Sequence, residues 1–218
     1  IQLIPVFKRL LNENKNKYQY KINVVSCVGI PSARITRFAQ KNNPCISTFQ
    51  NYINWSLNNS QKRSILLINS SMIFFSGKDI LFDLSKDRIV QTNYAKQIFA
   101  EEINSIGSKA KLKNVDFYIT SGVPFLLTNP VTCGNWFNQL NSKPCNTLDP
   151  NSKNFQLTPY EDILKLTSKD VSGINIYKKL EETLSSKKDL DIYFSSIDHI
   201  SAEGAYLLLP LFVEKFNN

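Results

Sequence analysis

Ser64-Ile65-Leu66-Leu67-Ile68-Asn69 is an unbroken apolar run, partly β-branched, with a polar residue at each end. Short runs of this kind belong to strands buried on both faces of a parallel sheet. A second strand is predicted at Val115-Asp116-Phe117-Tyr118-Ile119-Thr120, which runs into the turn Ser121-Gly122-Val123-Pro124. Between the two, Ala95, Ile98, Phe99, Ile103 and Ile106 recur at helical spacing and predict an amphipathic helix over 92–106 closed by Gly107. Strand, helix, strand is the pattern of a βαβ unit.

The same alternation extends in both directions. Upstream, Leu3, Ile4, Phe7, Leu10 and Leu11 predict a first helix. Residues 18–27 predict a strand centred on Ile22, Val24 and Val25, and Phe49, Ile53 and Leu57 mark a helix over 48–57. Downstream, helices are predicted over 159–166 and 174–184, a short strand over 192–194, and a last helix over 201–216 kinked at Pro210. The expected fold is α/β, a three-layer α/β/α sandwich with a mostly parallel sheet. In such sheets ligands gather at the carboxyl ends of the strands, here 27–32, 69–72, 121–124 and 195–199. The loop over 125–158 is too long for a plain connector and is expected to be a stapled lid or a partner surface.

The 218 residues are expected to form a single domain, 1–218, large enough to bury about 70% of the surface of the unfolded chain. With 42% hydrophobic residues and a mean hydropathy of −0.23, the composition is that of a soluble globular chain. No apolar run approaches the ~18–20 residues that span a bilayer. Residues 1–11 lack the features of a signal peptide, and the absence of a starting Met leads to the expectation of a trimmed chain.

The sole histidine, His199, excludes metal centres built from several imidazoles within the chain, and no metal or cofactor is expected. The net charge of +8 comes from Lys and Arg scattered along the chain, which suits a solvated surface better than a nucleic-acid footprint. No nucleic-acid partner is expected, although a diffuse positive field would also suit anionic glycans or lipid head groups.

The four cysteines form two local pairs, Cys27 with Cys45 and Cys133 with Cys145, neither at the spacing of a zinc knuckle or a dithiol redox site. Each pair brackets a loop containing Pro and Asn. Two short-range disulfides would suit this, each worth about 3 kcal/mol in the chain-entropy model, and would place the protein in an oxidising compartment. Four buried thiols in a reducing compartment are the alternative, and three pairings are possible.

His199 stands in the turn before the last helix. Ser201 is a good N-cap, and Glu203 falls in the first turn, where the helix dipole favours a negative charge. From position alone, a histidine there is a surface or capping residue or a site residue held at a rigid helix start.

The string Asp198-His199-Ile200-Ser201-Ala202-Glu203-Gly204-Ala205, followed by Leu207 and Leu208, resembles the last block of SGNH hydrolases. It is most similar to the SGNH domains fused to or partnered with acyltransferase family 3 membrane proteins, which read His-Leu-Ser-x-x-Gly-Ala there. Other segments agree in order along nearly the whole chain. Gln2-Leu3-Ile4-Pro5 resembles the start of the family's first helix and Ser26-Cys27-Val28-Gly29-Ile30-Pro31 its Cys-Pro turn. Gly122-Val123-Pro124 with Cys133 downstream resembles its Pro-then-Cys loop.

The resemblance implies nucleophilic chemistry, with a serine that attacks as a histidine takes its proton, a carboxylate that orients the histidine, and donors for the oxyanion. It assigns the base to His199 and, by position, the oxyanion donors to Gly29 and Asn69. The family's nucleophilic serine, and the first strand that carries it, would fall just before Ile1, so the chain is expected to be truncated before Ile1 and to lack both. The family's orienting Asp lies three residues before the histidine, where this chain has Ser196. Asp198 is adjacent to His199 and is expected to be a poor replacement, since neighbours in a turn rarely face each other. A dyad steadied by Ser196 or a backbone carbonyl, or a weakened enzyme, would follow.

The implied activity is extracytoplasmic transfer of an acetyl or similar group to a hydroxyl of a cell-surface carbohydrate. The protein would be membrane-tethered, and the acyl donor would be supplied by a membrane acyltransferase domain in the same or a partner chain. A secreted carbohydrate or lipid esterase and a catalytically degenerate carbohydrate-binding module are the alternatives.

Overall fold

The computed structural model describes residues 3–13, 30–61, 64–130 and 147–217, apart from the side chains of Leu11, Glu13, Cys45, Ser47 and Asn217. The strand expected over 18–27, together with Cys27, Gly29, Cys133 and Cys145, lies outside the described residues, so the cysteine pairings do as well. The chain divides into two compact units. One comprises Ile1–Val24, Val123–Lys153 and Ile176–Asn218, the other Val25–Gly122 and Asn154–Asn175.

The second unit contains the βαβ pattern. Strands β2 (Ile65–Asn69) and β5 (Asp116–Thr120) pair in parallel from Ile65↔Asp116 to Asn69↔Thr120, and β5 pairs in parallel with β6 (Ser172–Ile174). Helix α3 (Thr92–Leu112) connects β2 to β5 through the intervening segment and buries Ala95, Ile98, Phe99, Ile103 and Ile106, the stripe read from the sequence. Helices α2 (Pro44–Asn58) and α4 (Thr158–Lys165) complete the α/β arrangement of this unit. Strand β2 is half-buried over Ile65, Leu66 and Leu67, buried at Ile68 and exposed at Asn69, rather than covered on both faces.

Several boundaries differ from expectation for physical reasons. Helix α3 does not stop at Gly107 but runs through it to Leu112. A Cβ there would lie 2.9 Å from Val171 Cγ2 and 3.1 Å from the Asp170 carbonyl oxygen, so this glycine serves close packing rather than capping. Gly107→Ala is therefore expected to lower stability by about 1 kcal/mol, overpacking outweighing the better helix propensity of alanine. A urea titration showing a raised midpoint would contradict this. Strand β6 begins where the sequence predicts only the approach to a helix. Its Gly173 has no room for a side chain, with Tyr160 Oη and Leu164 Cδ2 at 2.4 and 2.7 Å from a built Cβ.

Beside the parallel sheet stands a separate antiparallel sheet of β1 (Ile35–Arg37), β3 (Leu81–Asp83) and β4 (Arg88–Val90), in the order β1-β3-β4, which the sequence did not predict. Three-residue strands are too short for an alternation signal. The β3–β4 connection is stabilised by Asp83, whose carboxylate accepts from the Ser85 amide and hydroxyl. Entry to β1 is held by Glu102 of α3. This buried carboxylate accepts from the Ser32 hydroxyl, the Ala33 amide at 2.9 Å and Gln50 Nε2 at 2.8 Å. Ser32 Oγ in turn accepts from the amides of Arg34 and Ile35. A buried charge needs such saturation to avoid an uncompensated desolvation cost.

In the first unit, α1 (Ile4–Glu13) sets Phe7 against Phe212 at 5.1 Å and Phe216 at 6.3 Å between ring centres. The expected last helix is two helices, α6 (Ala202–Tyr206) and α7 (Leu209–Asn217). Pro210 is the second residue of α7, where its missing N–H costs nothing, so the chain breaks before the proline instead of kinking at it. Helix α5 spans Ile176–Leu184. The strand expected over 192–194 is displaced. Leu190–Tyr193 is a 3₁₀ turn, and β7 (Phe194–Ser196) follows it, paired antiparallel with β8 (His199–Ile200). The described ends of the 125–158 stretch meet in an antiparallel bridge between Leu126 and Leu148. Among the described residues, no helix is long and apolar enough to cross a membrane.

Candidate functional site

The β7–β8 hairpin places Ser196 directly opposite His199, with Ile197 and Asp198 forming the turn. Phe194 and Ile200 are buried and anchor the hairpin. Its exit is fixed by Ser201, which donates from its amide to the Tyr193 carbonyl at 2.9 Å and from its hydroxyl to the Ile192 carbonyl at 2.7 Å. Ser201 Oγ also accepts from the Gly204 amide at 3.1 Å, the N-cap bond expected of it. Gly204 approaches so closely that a Cβ would lie 2.2 Å from the Tyr193 carbonyl oxygen.

Three polar side chains converge at the tip of this hairpin. Asp198 Oδ1 is 2.7 Å from His199 Nδ1 and 3.0 Å from Ser196 Oγ, and Ser196 Oγ is 3.0 Å from Nδ1. A single proton assignment satisfies all three distances. With Nδ1–H shared between the carboxylate and Ser196 Oγ, and the serine hydroxyl donating to the carboxylate, the neutral imidazole keeps Nε2 as its acceptor. Among the described residues Nε2 has no hydrogen-bond partner, and the side chains of His199 and Asp198 are 56% and 54% exposed. Burial pushes the Asp198 carboxyl up. The hydrogen bonds from His199 and Ser196, with the attraction of a protonated imidazole, outweigh it and hold the carboxyl below the usual carboxylate range.

The expectation that Asp198 cannot serve its neighbour is thus corrected. Adjacent side chains diverge inside a strand, where Cβ directions alternate. Asp198 lies in the turn, outside that alternation, and folds back onto the imidazole. Ser196 does not replace the carboxylate as the orienting group; it is a second donor to it.

Asn69 belongs to the second unit, at the carboxyl end of β2. It is exposed, and its Oδ1 accepts from the hydroxyl of the buried Thr120 at 2.6 Å, its partner in the parallel register. With the carbonyl oxygen so held, the amide NH₂ is turned to a fixed direction and available as a donor. The loop after Asn69 is secured by Gln156, a buried residue of the π-helical turn Lys153–Leu157. Gln156 Oε1 accepts from the Met72 amide and Nε2 donates to Ser71 Oγ, each at 2.8 Å. A Cβ on Gly122 would meet Gln156 Oε1 at 1.8 Å, so the glycine makes room for that side chain.

The structure therefore brings Ser196, Asp198 and His199 together and places Asn69 in the other unit, while Gly29 lies outside the described residues. Thr120 and Gln156 were missed by sequence reasoning. Thr120 was readable as the last residue of a strand in register with Asn69, whereas Gln156 carries no local signal. Among the described residues, no three His, Cys, Asp or Glu side chains cluster to hold a metal ion. No protein-family model matches the chain, and no curated protein matches it. The chemistry of the site rests on its geometry and on the resemblance in the histidine block.

Proposed function

We propose that the chain is an SGNH-type domain, a three-layer α/β/α sandwich, acting as an extracytoplasmic O-acyltransferase on a hydroxyl of a cell-surface carbohydrate. The supporting observation is the imidazole of His199, oriented through Nδ1 by Asp198 with Nε2 bare. In this reading Nε2 takes the proton of a serine hydroxyl as that oxygen bonds to the acyl carbon of the donor. The donor's C–O bond then breaks as Nε2–H protonates the leaving oxygen. A sugar hydroxyl repeats the sequence on the acyl-enzyme and departs as the ester. Asp198 stabilises the imidazolium formed in each half. Ser196 Oγ lies against Nδ1 and the carboxylate rather than Nε2, so this reading does not assign it as the nucleophile. A membrane acyltransferase domain, in the same or a partner chain, would supply the acyl group.

The nucleophile this reading calls for is the serine that the family places shortly before the proline resembling Pro5. Labelling the natural protein with a fluorophosphonate and mapping the adduct tests the proposal. One modified serine is expected, with labelling slowed by His199→Ala. Absence of any modified serine would sink the enzyme reading and leave the carbohydrate-binding one. The exposure of His199 favours a second reading, an esterase, since water reaches Nε2. The ratio of sugar ester to free acid formed from an acetyl donor in the presence of a carbohydrate acceptor separates the two.

A further inference from the structure

Helix α2 carries an outward face without charge. Residues 42–61 contain no Asp, Glu, Lys or Arg, in a chain with 20% charged residues. Ile53 and Leu57 are buried and fix which side of the helix packs inward. The other side exposes Asn51, Tyr52, Asn54, Trp55, Asn58 and Asn59. Trp55 has Asn51 and Tyr52 one turn before it and Asn58 and Asn59 one turn after, the spacings that make neighbours on a helix surface. Its side chain and that of Tyr52 face solvent, the residues being 48% and 42% exposed.

A solvated helix face is ordinarily built of Lys, Glu and Arg, which favour the helix and stay hydrated. Helix α3 follows that pattern, exposing Glu101, Lys109 and Lys111. Helix α2 does not, since Asn is a poorer helix former than any of those and an exposed indole gains nothing from water. Among the described residues, neither the Tyr52 nor the Trp55 ring contacts another ring or a cation, and the side-chain amides of Asn51, Asn54 and Asn58 hold no hydrogen-bond partner. Asn59 Nδ2 donates to the Trp55 carbonyl at 2.8 Å, which leaves its Oδ1 able to accept.

We propose that this face binds a neutral polysaccharide, with Trp55 and Tyr52 against pyranose rings and the asparagines on their hydroxyls. A sugar ring presents C–H bonds on its faces and hydroxyls around its edge. The electron-rich face of an indole or phenol attracts those C–H bonds, and an amide offers each hydroxyl both a donor and an acceptor. The lack of charge selects the occupant. An acidic glycan, a nucleic acid or an anionic bilayer would find no cation on this helix. A protein partner would have to supply a hydrogen bond to every amide it buried, whereas a sugar brings a hydroxyl to each. The proposal concerns α2 alone and does not depend on acyl transfer at His199.

Native electrophoresis of the purified chain through gels containing a glucan, a mannan or a galactan, with polygalacturonate as the acidic control, tests this. Retardation by at least one of the neutral polymers is expected, insensitive to salt. Trp55→Ala should weaken it at least about tenfold, and Tyr52→Ala/Asn58→Ala by about as much. His199→Ala should be retarded as the parent is, which separates this face from the acyl-transfer reading. The substituted side chains are exposed, and unchanged circular dichroism and melting temperature confirm intact folding; the double variant carries the test if Trp55→Ala does not fold. Passage of the parent unretarded through all three neutral gels would overturn the proposal, as would undiminished retardation of both α2 variants. Retardation by polygalacturonate alone would show that net positive charge holds glycans instead, and a parent dimer that Trp55→Ala converts to monomer would assign the face to a second copy of the chain; either result overturns it.

Discussion

His199→Ala is expected to lower acetyl-ester turnover by about ten-thousandfold while leaving the fold intact. The magnitude follows from the loss of the group that moves the proton in both half-reactions; what remains is binding and oxyanion stabilisation. The side chain is more than half exposed and its backbone is held by the β7–β8 pairing, so removing the imidazole opens no cavity. Asp198→Asn should cost less, about a thousandfold, because water can partly replace the carboxylate at an exposed site. Steady-state assays of the natural protein on an acetyl ester measure both, and an unchanged rate in His199→Ala would eliminate the proposed base.

The hydrogen bonds on Asp198 set an acid limit. The folded-state pKa of Asp198 is depressed, so its contribution to holding the hairpin is fully present above the ordinary carboxylate value. It is lost only as pH falls through the lower folded-state value. Asp198→Asn should therefore remove an acid-side loss of hairpin order, measurable by NMR of the hairpin amides at low pH.

Gly204→Ala is the substitution expected to destabilise most, by about 3 kcal/mol or more. Alanine is ordinarily the better helix residue by about 1 kcal/mol, so the sign here is set entirely by the environment. The added Cβ would lie 2.2 Å from the Tyr193 carbonyl oxygen and 3.1 Å from Ile200 Cβ. The carbonyl is backbone and already accepts from the Ser201 amide, so it cannot move without breaking the bond that pins the hairpin to α6. Turnover should fall with stability, because the same displacement shifts the strand that leads to Ser196. Equilibrium unfolding in urea measures the loss, and a stability equal to that of the parent would show that α6 can move away from the hairpin.

The strands at 65–69 and 116–120 and the apolar stripe of α3 were legible because each carries a periodicity in its own residues. Strand β6 and the β1-β3-β4 sheet were not. Their three-residue segments are strands only because a partner is present, and Gly173 locally argues against one. Ser201 was legible as an N-cap from residue type alone. The orientation of Asp198 onto its neighbour was misjudged because it depends on where the hairpin turn falls. The bracing of Asn69 by Thr120, and of Met72 by Gln156, joins residues far apart in sequence and left no trace in local pattern.

Local chemistry in this chain thus settles what each segment tends to be: which stretches are apolar, where helices start, and which single residue carries an imidazole. Those preferences come from neighbours three or four residues away and need no fold to act. Which side chains meet is settled by pairing register and by the space left around particular glycines. The carboxylate on His199 and the hydroxyl on Asn69 both depend on distances that exist only once the strands have paired and the helices have packed.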